Sequence, residues 1–166
     1  MSTPARIRKA DRSDLLAITE IYNEAILTTT ATFDTEPRSG LERLKWFDSH
    51  DVRHPILVAE LDGKVVGWSS LSRWSDRHAY DHTAETSFYV KSEYRGQGIG
   101  RKLKQATIEE ARGLGFHTLI ARVTEGNPES VHLNESFGFV RVGTLKEVGR
   151  KFGRLLDVHI LQKILE

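Results

Sequence analysis

The stretch of residues 83–111, TAETSFYVKSEYRGQGIGRKLKQATIEEA, constrains the fold of this chain more than any other. Residues 83–90 are rich in β-branched and aromatic side chains, and their apolar residues alternate except at Thr86, so they predict a strand. Beyond residue 98 the apolar positions are spaced three to five apart, which predicts a helix whose apolar face is formed by Ile99, Leu103, Ala106 and Ala111. The stretch therefore predicts a strand, a tight turn and a helix in direct succession.

The turn between that strand and helix contains three alternating glycines, in the sequence Arg95-Gly96-Gln97-Gly98-Ile99-Gly100. Glycine lets the backbone approach a ligand closely, and the unpaired N–H groups of the next helical turn favour an anion such as phosphate. The spacing matches neither a P-loop, which needs Gly-Lys-Ser/Thr at its end, nor a dinucleotide-binding fingerprint. A tight connection that binds no ligand is the alternative that the turn alone leaves open.

The composition of the 166-residue chain predicts one cytoplasmic domain spanning residues 1–166. Its formal net charge of +1 gives no electrostatic reason to expect nucleic acid or an anionic membrane as a partner. No apolar run approaches the roughly 20 residues of a membrane span. There is no cysteine, and His78 and His82 lie in a predicted loop without a third ligand, so we expect no metal site.

The other segments predict a mixed central sheet flanked by helices, an α/β (α+β) fold. We expect strands near residues 5–10, 55–60, 64–71, 117–123, 138–145 and 154–165, and helices near residues 11–27, 39–47 and 127–137. Asp62-Gly63 between two apolar runs is typical of a β-hairpin turn. The basic residues at 141–154 are interspersed with glycine and acids, which fits a surface hairpin better than a nucleic-acid interface.

Two motifs carry a resemblance to a known superfamily. Arg95-x-x-Gly98-x-Gly100 after a predicted strand resembles the acyl-CoA signature of the GNAT superfamily of N-acetyltransferases. Asn127-x-x-Ser130-x-x-Leu133, followed by Gly138-Phe139, resembles its later CoA-binding motif. The resemblance spans nearly the whole chain and implies the GNAT acyl-CoA N-acyltransferase fold, with acetyl-CoA as acetyl donor.

Further motifs resemble one group within that superfamily, the phosphinothricin and methionine sulfoximine/sulfone acetyltransferases. They are Phe33-x-x-Glu36-Pro37, Arg77-x-Ala79-Tyr80, Thr83-x-Glu85-x-Ser87-x-Tyr89-Val90 and Gly149-x-Lys151-x-Gly153. This resemblance implies transfer of acetyl to the α-amine of a small amino acid or analogue as a detoxification reaction. It also implies a homodimer in which the C-terminal region takes part.

The resemblance implies a division of the site into a cofactor end and an acceptor end. Backbone groups of Phe88, Tyr89 and Val90 would pair with the pantetheine arm, and Asn127 would hydrogen-bond the cofactor further along that arm. The turn that opens the helix would hold the pyrophosphate, through Arg95, Gly96, Gln97, Gly98, Ile99, Gly100 and Arg101.

Glu85 is the candidate general base that removes a proton from the acceptor ammonium, directly or through water. An exposed strand carboxylate or an ion-pair partner is the alternative interpretation of this residue. We expect direct transfer without an acyl-enzyme, because the chain has no cysteine nucleophile. Asn134 occupies the position where many relatives have a tyrosine or histidine, and an amide cannot act as a general acid near neutral pH. The sequence therefore assigns no residue as the general acid.

The acceptor end has several candidate residues in addition to Glu85. Arg77 could bind an acceptor carboxylate through both guanidinium nitrogens. The other candidates are aromatic or hydroxyl side chains, namely Phe33, Trp74, Ser75, Tyr80, Thr86 and Ser87. Acetylation of protein or peptide amines and a non-catalytic acyl-CoA-binding sensor are the two alternative functions, and CoA release with a panel of amines would separate them.

Overall fold

The computed structural model describes residues 4–166, and their strands form one seven-stranded sheet in the order β1-β2-β3-β4-β5-β7-β6. The strands are β1 (Arg6–Lys9), β2 (Ile56–Leu61), β3 (Lys64–Arg73), β4 (Thr83–Val90), β5 (Thr118–Thr124), β6 (Val140–Lys151) and β7 (Arg154–Ile164). The helices are α1 (Leu15–Thr28), α2 (Gly40–Asp48), α3 (Ile99–Gly113) and α4 (Pro128–Ser136). Neighbouring strands are antiparallel except for the parallel pair β4 and β5. The mixed α/β architecture and the order of helices and strands confirm the sequence prediction.

Local sequence signals account for most boundaries of the helices and strands. Asp62 and Gly63 have φ of 50° and 78°, the left-handed conformation that a two-residue hairpin turn requires. Ser39 caps α2, since its hydroxyl accepts from the Glu42 amide while the Glu42 carboxylate accepts from the Ser39 amide. α1 ends at Thr28, where a run of β-branched residues begins. Helix starts and hairpin turns are thus encoded within a few residues.

Two boundaries differ from the sequence prediction. The first helical segment begins as a 3-10 turn at Arg12–Asp14, capped by Asp11, and continues as α1. β6 continues to Lys151 instead of ending near residue 145, because a register shift lets the strand resume pairing with β7 at Gly149. Glu147 lies within this irregular segment, and its φ of 51° is in the left-handed region. Lys146 and Glu147 at this irregularity are polar, so the sequence pattern predicted that the strand ends before them.

Helices cover both faces of the sheet. On one face Ile18 and Ile21 of α1 pack against Val58 and Trp68, and α2 packs beside α1. On the other face α3 packs against β2, β3 and β4, with Leu103 in a cluster that includes Leu57, Ala59, Val66 and Ile99. Each such fully buried side chain contributes about 1.5–3 kcal/mol to folding. The alternation of β4 residues therefore decides whether a side chain meets α3 or the α1–α2 face.

Among residues 4–166 no helix is long and apolar enough to cross a membrane. In the same part of the chain no three His, Cys, Asp or Glu side chains cluster as they would around a metal ion. The Nδ1 atom of His78 lies 3.3 Å from the Oδ2 atom of Asp81.

Candidate active site

The central feature of the site is an opening between the parallel strands β4 and β5. Their ladder pairs only Thr83–Glu85 with Thr118–Ile120, although β4 continues to Val90 and β5 to Thr124. Within the described part of the chain, the later residues of β4 have ladder partners only on the β3 side. The predicted cofactor residues Phe88, Tyr89 and Val90 lie on this free edge. The edge can accept an extended molecule as an additional strand.

The glycine turn forms one end of the opening. Gly96 and Gly98 have φ of 76° and 81°, a conformation that strains residues with a Cβ atom. Gly98 is the N-cap of α3 and offers no side chain to its first turn, so those N–H groups stay free for a ligand. A Cβ atom on Gly100 would lie 3.3 Å from the Phe88 ring, so the helix packs closely on β4. The geometry is that of an anion-binding helix N-terminus.

A groove of about 370 Å³ runs from this turn along the free edge of β4 to the start of α4. Nine of the predicted cofactor residues line it: Phe88, Tyr89, Val90, Arg95, Gly96, Gly98, Ile99, Gly100 and Asn127. Gln97 and Arg101 are not among its lining residues. The Arg101 guanidinium donates to the Ser136 hydroxyl at 3.1 Å, so its side chain links α3 to α4.

Two side chains in the groove make specific backbone contacts. The Arg95 Nε donates to the Val90 carbonyl at 3.1 Å, which fixes the glycine turn against the end of β4. Asn127 is at the N-cap position of α4 but makes no capping bond with its side chain. Its Nδ2 donates instead to the Thr124 carbonyl at 2.9 Å and to the Thr30 hydroxyl at 3.1 Å. Asn127 therefore holds the end of β5 against the loop that follows α1.

A smaller cavity of about 70 Å³ continues from the groove and shares Phe88, Asn127 and Ser130 with it. Lys104 of α3 lines this cavity, although only 2% of the residue is exposed. Its Nζ donates to the Thr86 hydroxyl at 2.7 Å, and burial lowers the pKa of the amine to about 7. The sequence analysis missed Lys104.

A usable signal for Lys104 was nevertheless present in the sequence. Gly100, Lys104 and Ile108 are four residues apart, which places all three on the face of α3 that meets the sheet. Thr86, the polar exception in the alternation of β4, is the residue that Lys104 contacts. The side chain of Thr86 thus points to α3, away from the face that carries Glu85 and Ser87.

Glu85 lies on the opposite face of β4 in an ion pair with Arg122 of β5. Arg122 Nε and Nη2 lie 2.5 Å and 2.8 Å from the two carboxylate oxygens, and the Glu85 side chain is 14% exposed. Both hydrogen bonds raise the pKa of Arg122. Glu85 therefore forms the ion pair that was the alternative interpretation of this residue. Arg122 is a further residue that the sequence analysis missed.

A cavity of about 280 Å³ lies on the same face as Glu85 and is lined by Ser87 and an aromatic cluster of Tyr22, Trp46, Trp68 and Tyr89. Arg43 enters this cluster with its guanidinium 3.7 Å from the Trp46 ring centre, and only 4% of the residue is exposed. Its Nε and Nη2 are buried without a hydrogen-bond partner among the described residues. Burial lowers the pKa of Arg43 to about 10. Asp34, Arg38 and Glu42 also line this cavity, which therefore combines aromatic walls with charges of both signs.

The remaining predicted acceptor residues are spread more widely. The Arg122 guanidinium lies 5.9 Å from the Trp74 ring centre, so Trp74 is near Glu85. Ser75 accepts from the Arg77 amide at 3.4 Å, while Arg77 and Tyr80 are exposed and line none of the cavities described above. Phe33 packs its ring over Gly149 on β6. The structure therefore places Trp74 near Glu85, which shares a face of β4 with Ser87, whereas Phe33, Arg77 and Tyr80 line none of these cavities.

Comparisons with known proteins agree with this geometry. Residues 17–139 match the Acetyltransferase (GNAT) family. A protein of Salmonella typhimurium named L-methionine sulfoximine/L-methionine sulfone acetyltransferase is 38% identical over 96% of this chain and 94% of its own length.

Two solved structures have the same fold. One is a GNAT superfamily phosphinothricin acetyltransferase from Sinorhizobium meliloti in complex with acetyl-CoA, with a TM-score of 0.95 and 35% identity over 98% of this chain and 89% of that one. The other is a ribosomal-protein-alanine N-acetyltransferase from Brucella melitensis, with a TM-score of 0.93 and 43% identity over 96% and 99% of the two chains. The fold, the groove and these similarities together identify the chain as a member of the GNAT acetyltransferase family.

Proposed function

We propose that this protein is an acetyl-CoA-dependent N-acetyltransferase that transfers acetyl directly to the α-amine of a small amino acid or amino-acid analogue. The observation that carries the proposal is the opening between β4 and β5, with the uncapped N-terminus of α3 at one end and the Glu85 carboxylate beside it. The family match supports the same activity. A site that binds an acyl thioester and an amine side by side gains its rate mainly from their orientation.

The groove residues fit the acetyl donor, which supplies an activated acetyl group as a thioester. The first-turn amides of α3 hold its pyrophosphate, and Gly96 and Gly98 keep side chains out of the way. The free edge of Phe88 and Val90 pairs with the amides of the pantetheine arm, and Asn127 lies further along the same groove. A backbone N–H near Val90 stabilises the charge that develops on the thioester oxygen.

Glu85 acts on the acceptor amine in this proposal. Its charged carboxylate attracts the ammonium group and accepts a proton from it, directly or through water. The aromatic cavity beside Ser87 receives the rest of the acceptor, and the unpaired Arg43 guanidinium suits an anionic or strongly polar group on it. Arg77, on its exposed loop, stays the predicted partner of the α-carboxylate.

The leading acceptors are L-methionine sulfoximine, L-methionine sulfone and phosphinothricin, since proteins similar to this chain are named for them. Each is a small α-amino acid with a strongly polar side chain. Acetylation of such compounds would serve detoxification in the cytoplasm, where acetyl-CoA is available.

Acetylation of a protein N-terminus is the second candidate, favoured by the similarity to the Brucella melitensis protein named for ribosomal-protein alanine. A panel experiment separates the two candidates by measuring CoA release with these three amino acids and with short peptides that begin with alanine. We expect kcat/KM for at least one free amino acid to exceed that for every peptide by about tenfold or more, a difference of about 1.4 kcal/mol. A preference for peptides would replace the first candidate with the second. Tight binding of acetyl-CoA without turnover of any amine would instead indicate a sensor.

We also propose that the chain forms a homodimer through the β6–β7 hairpin. β6 is an edge strand, and the hairpin exposes large apolar side chains at Val140, Val142, Leu145, Val148, Phe152 and Leu155. An exposed apolar edge of this size in a folded protein favours a protein contact. Sedimentation equilibrium should show a dimer that Val148→Asp weakens, and a monomer at all concentrations would refute this proposal.

A further inference from the structure

Lys104 occupies an unusual place for an amine. It is 2% exposed, its Nζ lies 4.1 Å from the Phe139 ring centre, and its only hydrogen-bond acceptor among the described residues is the Thr86 hydroxyl at 2.7 Å. Among residues 4–166 no carboxylate pairs with it, and burial alone accounts for the lowered pKa of the amine. A buried amine without a counter-ion destabilises the fold when it is protonated.

None of the charged and titratable groups near Lys104 is hydrogen-bonded to its amine among the described residues. Glu85 and Tyr89 alternate with Thr86 along β4, and Arg122 of β5 is paired with Glu85. Tyr89 and Arg122 nevertheless line the same cavity as Lys104. The titratable groups of α4 and of the start of β6 are exposed, namely Glu129, His132, Glu135 and Arg141. Lys104 therefore shares its cavity with one cation, Arg122, which is already paired with Glu85, and no carboxylate among residues 4–166 pairs with the Lys104 amine.

Asn134 faces the same cavity and supplies a second, independent observation. The residue is 1% exposed, and its Nδ2 donates to the Ser130 carbonyl at 2.8 Å. Its Oδ1 is buried without a partner among the described residues. A buried acceptor of this kind costs free energy unless a ligand or a water donates to it. The cavity volume of about 70 Å³ holds about two waters at about 30 Å³ each, or the sulfur and acyl carbons of a thioester.

This cavity adjoins the groove at Phe88, Asn127 and Ser130, the point that the reactive end of a bound acyl-CoA would reach. Asn134 cannot donate a proton there, whereas an ammonium group can. We infer that Lys104 is the general acid that protonates the CoA thiolate as it leaves, with Asn134 Oδ1 orienting the thiol or an intervening water. The inference rests on the proposed function and deepens it.

Atoms and protons balance in the acetyl transfer when Lys104 is the general acid. The amine nitrogen forms a bond to the acetyl carbon, the C–S bond breaks, and sulfur takes the bonding electron pair. Lys104 Nζ gives one proton to that sulfur, so free thiol leaves. The acceptor nitrogen loses two protons in becoming an amide, and these pass through Glu85 and solvent, one of them to restore Lys104.

Lys104→Met tests the role of the amine, and Lys45→Met on the exposed surface of α2 is the matched control. We expect Lys104→Met to lower kcat about 10²-fold, the lower end of what general acids contribute. An acid must be protonated to act, so kcat of the parent protein should fall as pH rises above about 7. The variant should not show this decrease. The double variant Lys104→Met/Asn134→His should regain activity over Lys104→Met, because it places an acid at the other wall of the cavity.

A second measurement needs neither turnover nor an acceptor. The thiol of bound CoA, followed by the ultraviolet absorbance of its thiolate, should ionise at lower pH in the parent protein than in free solution or in Lys104→Met. Unchanged kcat and pH profile in a folded Lys104→Met protein would overturn the inference, as would a bound thiol that titrates like free CoA. If no amine is acetylated, the proposed function fails, and the thiol titration still decides whether Lys104 meets the sulfur.

Discussion

Replacing Lys104 with methionine should stabilise the protein in a pH-dependent way. The pKa of the buried amine is about 7, against 10.5 for an exposed lysine. At about 1.36 kcal/mol per pKa unit, the difference of about 3.5 corresponds to on the order of 5 kcal/mol of destabilisation when the amine is charged in both states. The methionine side chain has similar length and carries no charge, and its loss of the Thr86 hydrogen bond costs only about 1 kcal/mol.

The sign of the pH dependence follows from proton uptake on unfolding. Between pH 7 and 10.5 the unfolded state holds the Lys104 proton and the folded state does not, so stability rises with pH across this range. Below pH 7 both states are protonated and the destabilisation is complete. The advantage of Lys104→Met over the parent protein should therefore be largest at pH 6 and shrink by about 3 kcal/mol by pH 9.

Urea unfolding of both proteins at intervals from pH 6 to 9, with equal m values as a check on two-state behaviour, measures this difference. Other titrating groups are common to the two proteins and cancel in the comparison. A difference in the free energy of unfolding that stays constant across the range would refute the conclusion that burial neutralises Lys104. A less stable variant at pH 6 would refute the claim that the charge is uncompensated.

Three further predictions test other parts of the molecule. Glu85→Gln should lower kcat about 10²-fold or more at neutral pH and leave the calorimetric Kd for acetyl-CoA nearly unchanged; undiminished turnover would remove the base assignment. Gly149→Ala should cost about 1–3 kcal/mol of unfolding free energy in urea, because the new methyl would overlap the aromatic ring packed there, whereas Gly143→Ala meets open space and should be nearly neutral. Gly98→Ala should weaken acetyl-CoA binding about tenfold, while Gly63→Ala, with similar φ, should strain a remote turn without affecting the Kd.

The sequence predicted those parts of the fold that depend on nearby residues. The glycine turn, the capping box at Ser39 and the Asp62-Gly63 hairpin each combine a few adjacent residues whose backbone preferences agree. The continuation of β6 past residue 145 was not predicted, because its pairing with Leu156 of β7 is restored only after an irregularity. Whether a strand resumes after a bulge depends on its neighbour, which local propensity does not describe.

The cofactor end of the site was more predictable than the acceptor end, because its geometry depends on residues that are adjacent in the sequence. A helix N-terminus and its glycines lie within one short stretch, so their geometry is encoded locally. The pairing of Glu85 with Arg122 joins residues 37 positions apart, and the contact of Phe33 with Gly149 joins even more distant segments. Charge and size suggest many partners for such residues, and only the tertiary arrangement of the chain selects one.

Lys104 and Thr86 show how two local exceptions become informative when they are considered together. Thr86 interrupts the apolar face of β4, and Lys104 interrupts the apolar face of α3, yet each alone is a common departure from an amphipathic pattern. The structure brings the two exceptions into contact with each other and with a third buried polar residue, Asn134, around one cavity. An apolar residue at position 104 would pack there without the cost of burying an amine. A buried amine that lowers stability beside the expected position of the reacting thioester is therefore better explained by proton transfer than by packing.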